Sequence, residues 1–368
     1  MIPIYEPFVN ERMKAYVKDC LETGWISSKG PYVEHATEML LNHTGAKYCV
    51  LTNNGTSATH LVARSLQRFK PSISKIIVPS ACYVAAWNSF LFDNFPWELV
   101  LEDLNLHTWN ADYENIENSS SSALLVVHNL GNIINVPSLK RKYPKCTVVE
   151  DNCEGLFGKY EGKHSGTQSL CSSLSFFANK NLTTGEGGAF LTDDCDVYNF
   201  AYKLRGQGQT SKRYVHDELG YNYRMTNIQA AMLLAQLEEA DNIEKKKQYI
   251  FECYKHHLED LEGVSWQILE KDVQHSNWMF GIRLEGISDY NSAKQLYNIN
   301  NIEVRPMFYP YTEHSHLPCA KGNCDNAKLL NKECVILPSS PNLDEEQIER
   351  ICHVTKEINN DIKSTKKF

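Results

Sequence analysis

Ser175-Phe176-Phe177-Ala178-Asn179-Lys180-Asn181-Leu182-Thr183-Thr184-Gly185-Glu186-Gly187-Gly188 sets a lysine between a short apolar run and a glycine-rich turn. Leu174 to Phe177 reads as a strand, and Ala189 to Leu191 as the next. Lys180 then stands at the carboxyl end of a strand, where open α/β sheets collect their ligands. The stretch is not a P-loop, because the lysine precedes the glycines. A surface lysine followed by hairpin glycines fits the spacing too, and spacing alone favours that plainer reading.

Working outward, five more short apolar runs are bounded by turn residues: Tyr48 to Leu51, Ile76 to Pro79, Glu98 to Leu101, Ala123 to His128 and Thr147 to Glu150. Continuous runs of this kind belong to strands buried on both faces, so the sequence predicts a mostly parallel seven-stranded sheet covered by helices. Ala58, Leu61, Val62 and Leu66 repeat at helical spacing between the first two strands. Thr226 and Gln229 fit a capping box. The helix they open is apolar on nearly every side, which predicts burial, a subunit interface being one such place. Its polar continuation runs toward Gly263, a stop signal. Beyond it, Trp278 to Leu284 and Ile302 to Arg305 read as strands. Asn291 to Tyr297 and Glu345 to Ile358 read as helices, and the tail 363–368 is expected to fray. The expected division is a large α/β domain over 1–245, with an N-terminal segment able to pack on the rest, and a smaller α+β domain over 246–368.

The chain has 368 residues, enough for two cores, and its net charge of -8 argues against a nucleic-acid groove. The run Lys245-Lys246-Lys247 reads as a solvated helix face. Twelve scattered cysteines, with no basic region or long apolar segment at the start, point to reduced thiols in a cytoplasmic protein. No apolar stretch approaches the roughly 20 residues of a membrane span.

Two further stretches carry chemistry. Val148-Val149-Glu150-Asp151-Asn152-Cys153-Glu154-Gly155 ends a buried strand in an acidic pair, so Asp151 is either a ligand-holding carboxylate or a helix cap. Thr52-Asn53-Asn54-Gly55-Thr56-Ser57-Ala58 joins a strand to a helix and offers free N–H groups and hydroxyls to an anion, or else plain capping.

These motifs occur in one order with Leu204-Arg205 and Gly220-Tyr221-Asn222-Tyr223-Arg224-Met225. The set resembles the DegT/StrS family of sugar aminotransferases, from Gly24-Trp25 to Leu337-Pro338. The resemblance implies an aspartate-aminotransferase-like fold (fold type I), a homodimer with active sites at its interface, and pyridoxal 5'-phosphate. It makes Lys180 the Schiff-base lysine and Asp151 the partner of the pyridinium nitrogen. It makes Tyr83, in Val78-Pro79-Ser80-Ala81-Cys82-Tyr83, the ring that stacks on the cofactor. Gly55, Thr56, Ser57 and Ser175 become the phosphate cradle, and Asn222 reaches the phosphate from the other subunit. A dehydratase branch of the family carries histidine in place of this lysine, and Lys180 argues against that branch.

Glu154 stands where many relatives have glutamine, near the cofactor's phenolic oxygen, and a proton shared between the two is expected. Glu154 and Arg305-Pro306-Met307-Phe308-Tyr309-Pro310 resemble the perosamine subgroup. That likeness implies amination at C4 of a nucleotide-linked 4-keto-6-deoxy sugar, with L-glutamate as donor and Arg305 as a substrate contact. A non-catalytic regulator that binds the cofactor or a sugar nucleotide is the alternative on the same fold. His314, His316, Cys319 and Cys324 are types that ligate zinc, but their spacing fits no common finger and a polar substrate loop explains them, so no metal is expected.

Overall fold

The computed structural model describes residues 1–365. Seven strands form the main sheet: β1 (Tyr48–Thr52), β2 (Lys75–Pro79), β3 (Glu98–Glu102), β4 (Ser122–Val127), β5 (Thr147–Asp151), β6 (Ser172–Ser175) and β7 (Gly188–Thr192). Their spatial order is β1-β7-β6-β5-β4-β2-β3. β7 runs antiparallel to β1 and β6, and the other neighbours are parallel. All seven expected strands are present. β6 ends two residues before Phe177, because Phe176 N–H turns to Gly187 O, 2.8 Å away. His128 likewise leaves β4 to meet Glu150.

Helices α1 (Glu11–Thr23), α2 (Pro31–Thr44) and α3 (Gly55–Phe69) precede the second strand. α4 (Asn227–Leu237) opens with the expected capping box of Thr226 and Gln229. It packs against α1 and α2 of its own chain, and most of its apolar surface is buried there. Asn227 clips this group together, donating from Nδ2 to Trp25 O at 2.7 Å and accepting from Tyr32 N–H at 3.1 Å.

The helical run does not continue unbroken to Gly263. It breaks at Glu238 and Glu239, and α5 (Ala240–Leu258) follows. Arg12 and the Tyr16 hydroxyl both hold Glu238 at 3.1 Å, a long-range tether with no local signature. Gly263, at φ 87°, turns the chain into the strand Val264–Ser265. Within α5, Ala240 and Ile243 join the core under the main sheet. Ile250, Phe251, Tyr254 and Leu258 join the core of a second sheet. The expectation of a solvated lysine run fails at Lys247, which is fully buried.

The second sheet pairs Val264–Ser265, Phe280–Leu284, Cys334–Leu337 and Arg305–Pro306, all antiparallel. Ile302 leaves this ladder and bridges to Ile2, while Ile4 N–H donates to Glu303 at 3.0 Å. The first residues thus lie on the C-terminal sheet. The last helix runs from Glu345 to Thr365, so the expected fraying fails as far as 365, and 366–368 lie outside the described residues. Among the described residues no helix is long and apolar enough to cross a membrane.

Candidate active site

Strand register brings the three singled-out stretches together. Gly188 pairs with Thr52 on one side and Ser175 on the other. The chain leaving Thr52 therefore passes beside the end of β6. A Cβ on Gly188 would stand 2.4 Å from Asn54 O, and one on Gly55 would stand 2.8 Å from Ser175 Cβ and 3.2 Å from Cys153 Sγ. Glycine at both places lets the start of α3 close against β6 and the loop after β5. The side chain of Asn54 caps α3 by accepting from Ser57 N–H at 2.8 Å. The hydroxyls of Thr56 and Ser57 are not spent on capping, and Ser57 and Ser175 are both buried.

Asp151 pairs with Ser173 across β5 and β6. Its Oδ1 accepts from Cys153 N–H at 3.1 Å and from Ser173 Oγ at 3.4 Å. Thr59 of α3 donates in turn to Ser173 Oγ at 2.9 Å. A relay from α3 through β6 thus orients the buried carboxylate. On the opposite face of β5, Glu150 meets His128, both essentially inaccessible. Ile134 N–H donates to His128 Nδ1 at 3.1 Å, so Nε2 carries the proton and donates to Glu150 Oε2 at 3.0 Å. Burial opposes the charge on Glu150, but His128 and the Gly166 N–H outweigh it and hold the carboxyl below its ordinary range.

The loop carrying Lys180 is tied at three consecutive residues. Asn179 O accepts from Trp278 Nε1 at 2.8 Å and Lys180 O from the Tyr5 hydroxyl at 3.1 Å. Asn181 Nδ2 donates to Leu156 O at 3.1 Å and Ser276 O at 2.7 Å. The side chain of Lys180 is only 12% exposed. Its Nζ stands 4.0 Å from Glu154 Oε1 and 3.7 Å from the centre of the Trp278 ring. Glu154 is buried, and its Oε2 accepts from Leu130 N–H at 2.8 Å. Burial pushes its carboxyl up to about 7, against the lowering effect of Lys180. Burial pushes the thiol of Cys82, which precedes Tyr83, well up, and the charges of Asp151 and Glu154 add to the effect.

Tyr83 itself is 59% exposed, its ring 6.4 Å from Phe308. Asn222 is exposed between Tyr221 and Tyr223, whose rings stack at 4.8 Å. Tyr221 OH bonds to Asp93, and Tyr223 OH lies 3.1 Å from His60 Nδ1. Both rings are anchored on one side, so alternation sends Asn222 to the other. Arg305 is exposed and pairs with Glu303 at 3.6 Å. Among the described residues no side-chain hydrogen bond joins Asn222 or Arg305 to the Lys180 group. Sequence reasoning missed Trp278, Tyr5, His128 and Ser173. Trp278 and His128 sat at ends of predicted runs, where a strand-end search would have found them, while Tyr5 has no local signal.

His316 Nε2 lies 3.0 Å from Asn88 Oδ1 and Cys324 Sγ 3.6 Å from Thr312 Oγ1. No group of three or more metal-ligating side chains forms among the described residues.

The ends of β5 and β6 and the start of α3 thus gather a largely buried lysine amine beside Glu154, the oriented carboxylate of Asp151 and a hydroxyl-rich helix start. The chain belongs to the DegT/DnrJ/EryC1/StrS aminotransferase family, whose model matches residues 7–356. It is 34% identical to a GDP-perosamine synthase of Escherichia coli O157:H7, over 98% of this chain and 99% of that one. It is 31% identical to a GDP-perosamine synthase of Vibrio cholerae, over 97% and 98%. Its fold superposes on the Helicobacter pylori aminotransferase PseC, involved in the biosynthesis of pseudoaminic acid, with a TM-score of 0.88, 22% identity and 97% and 99% coverage.

Proposed function

We propose that the chain is a pyridoxal-phosphate aminotransferase that exchanges the amino group of L-glutamate for the C4 keto group of a nucleotide-linked 4-keto-6-deoxy sugar. The products are 2-oxoglutarate and a 4-amino-4,6-dideoxy sugar nucleotide of the perosamine or viosamine type. Both relatives carry a GDP-sugar in their names, which favours guanosine diphosphate as the carrier. The observation that carries the reading is the Lys180 amine, held 4.0 Å from the buried Glu154, whose carboxyl also feels the charge of Asp151.

The residues present fit the cofactor. Gly55 leaves room that a Cβ would fill, beside the hydroxyl of Ser175. Together with Thr56 and Ser57, this helix start would hold a phosphate. Asp151, oriented by Ser173 and Cys153, would hold a protonated ring nitrogen, and Tyr83 would cover the ring. Pyridoxal phosphate, when bound, supplies the electron sink that makes an α-carbanion accessible. Lys180 Nζ then takes the α-proton of the donor and returns it on the acceptor side. Glu154, with a carboxyl near neutrality, keeps a proton to share with a phenolic oxygen.

The active unit is a homodimer in which Asn222 reaches the partner's phosphate. Supporting this, Tyr214 and Leu219, close to Asn222 in the chain, are 76% and 80% exposed, and Trp25, tied to Asn227, is 52% exposed. Each leaves a large apolar side chain for a partner to cover. Arg305 is assigned to the sugar nucleotide. The test is conversion of GDP-4-keto-6-deoxymannose with L-glutamate, followed by mass spectrometry of the sugar. A product with nitrogen in place of the keto oxygen is expected. Cofactor binding without any amino transfer would favour the regulator.

A further inference from the structure

Lys247 has no place in the chemistry described so far, yet its environment is expensive. It is fully buried in α5. Burial holds its amine well below the ordinary lysine range, and no acidic group offsets the effect. A methionine would fill similar volume without desolvating an amine, so packing alone does not account for a lysine here. Its Nζ donates to Trp278 O at 2.8 Å and to Ser339 O. It also lies 5.1 Å from the centre of the Tyr5 ring.

Both of these aromatic partners lead to one turn. Trp278 Nε1 donates to Asn179 O, and the Tyr5 hydroxyl donates to Lys180 O. The Trp278 ring also covers the Lys180 amine at 3.7 Å. Three separated parts of the chain, the N-terminal segment, α5 and the lead-in to Phe280–Leu284, therefore meet at Lys247 and close on Lys180.

We infer that Lys247 is a positioning residue for Lys180, fixing through Trp278 and Tyr5 where the reacting amine stands. The inference rests on the reading of Lys180 as the amine that bonds the cofactor. Reacting groups displaced by about 1 Å lose on the order of a hundredfold in rate, so a clamp on the lysine turn has direct consequences. The clamp acts on main-chain carbonyls, which leaves the Lys180 side chain free to move once released.

The experiment uses the full-length protein and four forms: wild type, Lys247→Met, Lys247→Arg and Tyr5→Phe. Two quantities are read. One is the pH profile of reductive methylation at Lys180, followed by mass spectrometry without cofactor. The other is the pH titration of the visible band after loading with pyridoxal phosphate. Lys247→Met is expected to change the Lys180 methylation rate about tenfold and to displace both pH midpoints. Lys247→Arg is expected to restore part of the change. Tyr5→Phe removes one link without touching Lys247 and should move both midpoints in the same direction, which decides the matter if Lys247→Met does not fold. Folded variants with wild-type profiles at Lys180 would overturn the inference. A wild-type protein that forms no visible band would overturn the aminotransferase reading instead, while the methylation profiles still decide the role of Lys247.

Discussion

The amine of Lys180 stands 4.0 Å from Glu154 Oε1, an ion-pair distance inside a buried site. The other oxygen of Glu154 is held by Leu130 N–H at 2.8 Å, so the carboxylate has a fixed orientation toward the lysine. This pairing yields the first prediction. Burial raises the Glu154 carboxyl from 4.5 to about 7 in the folded protein. The folded state therefore binds more protons than the unfolded state between those values, and stability falls as pH rises through that window. Glu154→Gln should remove this slope and be worth up to about 3 kcal/mol above neutrality, read by urea unfolding of cofactor-free protein from pH 4.5 to 8. The same substitution should shift the pH titration of the bound cofactor's absorption. An unchanged titration would refute the shared proton.

His128 and Glu150 form a buried pair behind Asp151. His128→Leu leaves the carboxylate without its main donor and should cost about 3–5 kcal/mol near neutral pH. Glu150 is held below its ordinary value of 4.5, so its contribution is present above that value and lost as pH falls through the folded one. The difference between wild type and variant should therefore shrink in acid. Equal unfolding midpoints at pH 7 would contradict the pairing.

Gly55 is predicted to be intolerant of even one methyl group. Gly55→Ala places Cβ 2.8 Å from Ser175 Cβ and should destabilise by about 1–3 kcal/mol while weakening cofactor retention on dialysis. Adding Ser175→Gly should recover part of the stability but not the retention, because the hydroxyl is then gone. Additive stability losses in the double variant would show that the two residues do not crowd each other.

Asn222→Ala and Lys180→Ala should each inactivate the enzyme, and a mixture of the two after subunit exchange should regain activity. If Asn222 completes the partner's site, each mixed dimer holds one intact site, or about a quarter of the wild-type number at random exchange. Mixtures as inactive as their components would confine Asn222 to its own subunit's site.

The main sheet was legible because strands buried on both faces write themselves as unbroken apolar runs, as in Ala123 to Val127 and Thr147 to Val149. Lys180, Asp151 and Gly55 were legible as candidates because they sit at strand ends, although each had a plainer reading until the motifs were taken together. What escaped depends on long-range contact. The break after α4 comes from Arg12 and Tyr16 gripping Glu238, not from glycine or proline. Lys247 looks like its exposed neighbour Lys245, and only the folded chain shows it under Trp278. Trp278 reads as the start of a strand, yet its ring is spent on Lys180.

The central claim is that Lys180 bonds pyridoxal phosphate and passes an amino group from a donor. It is tested most directly by the absorption spectrum of the purified protein with pyridoxal phosphate, before and after L-glutamate, beside the same record for Lys180→Ala. The account predicts a visible band in the wild type that gives way on adding glutamate to the shorter-wavelength band of the aminated cofactor, with no such lysine-linked band in the variant. A wild-type band indifferent to every amino donor, or a variant that still responds and turns over, would contradict it.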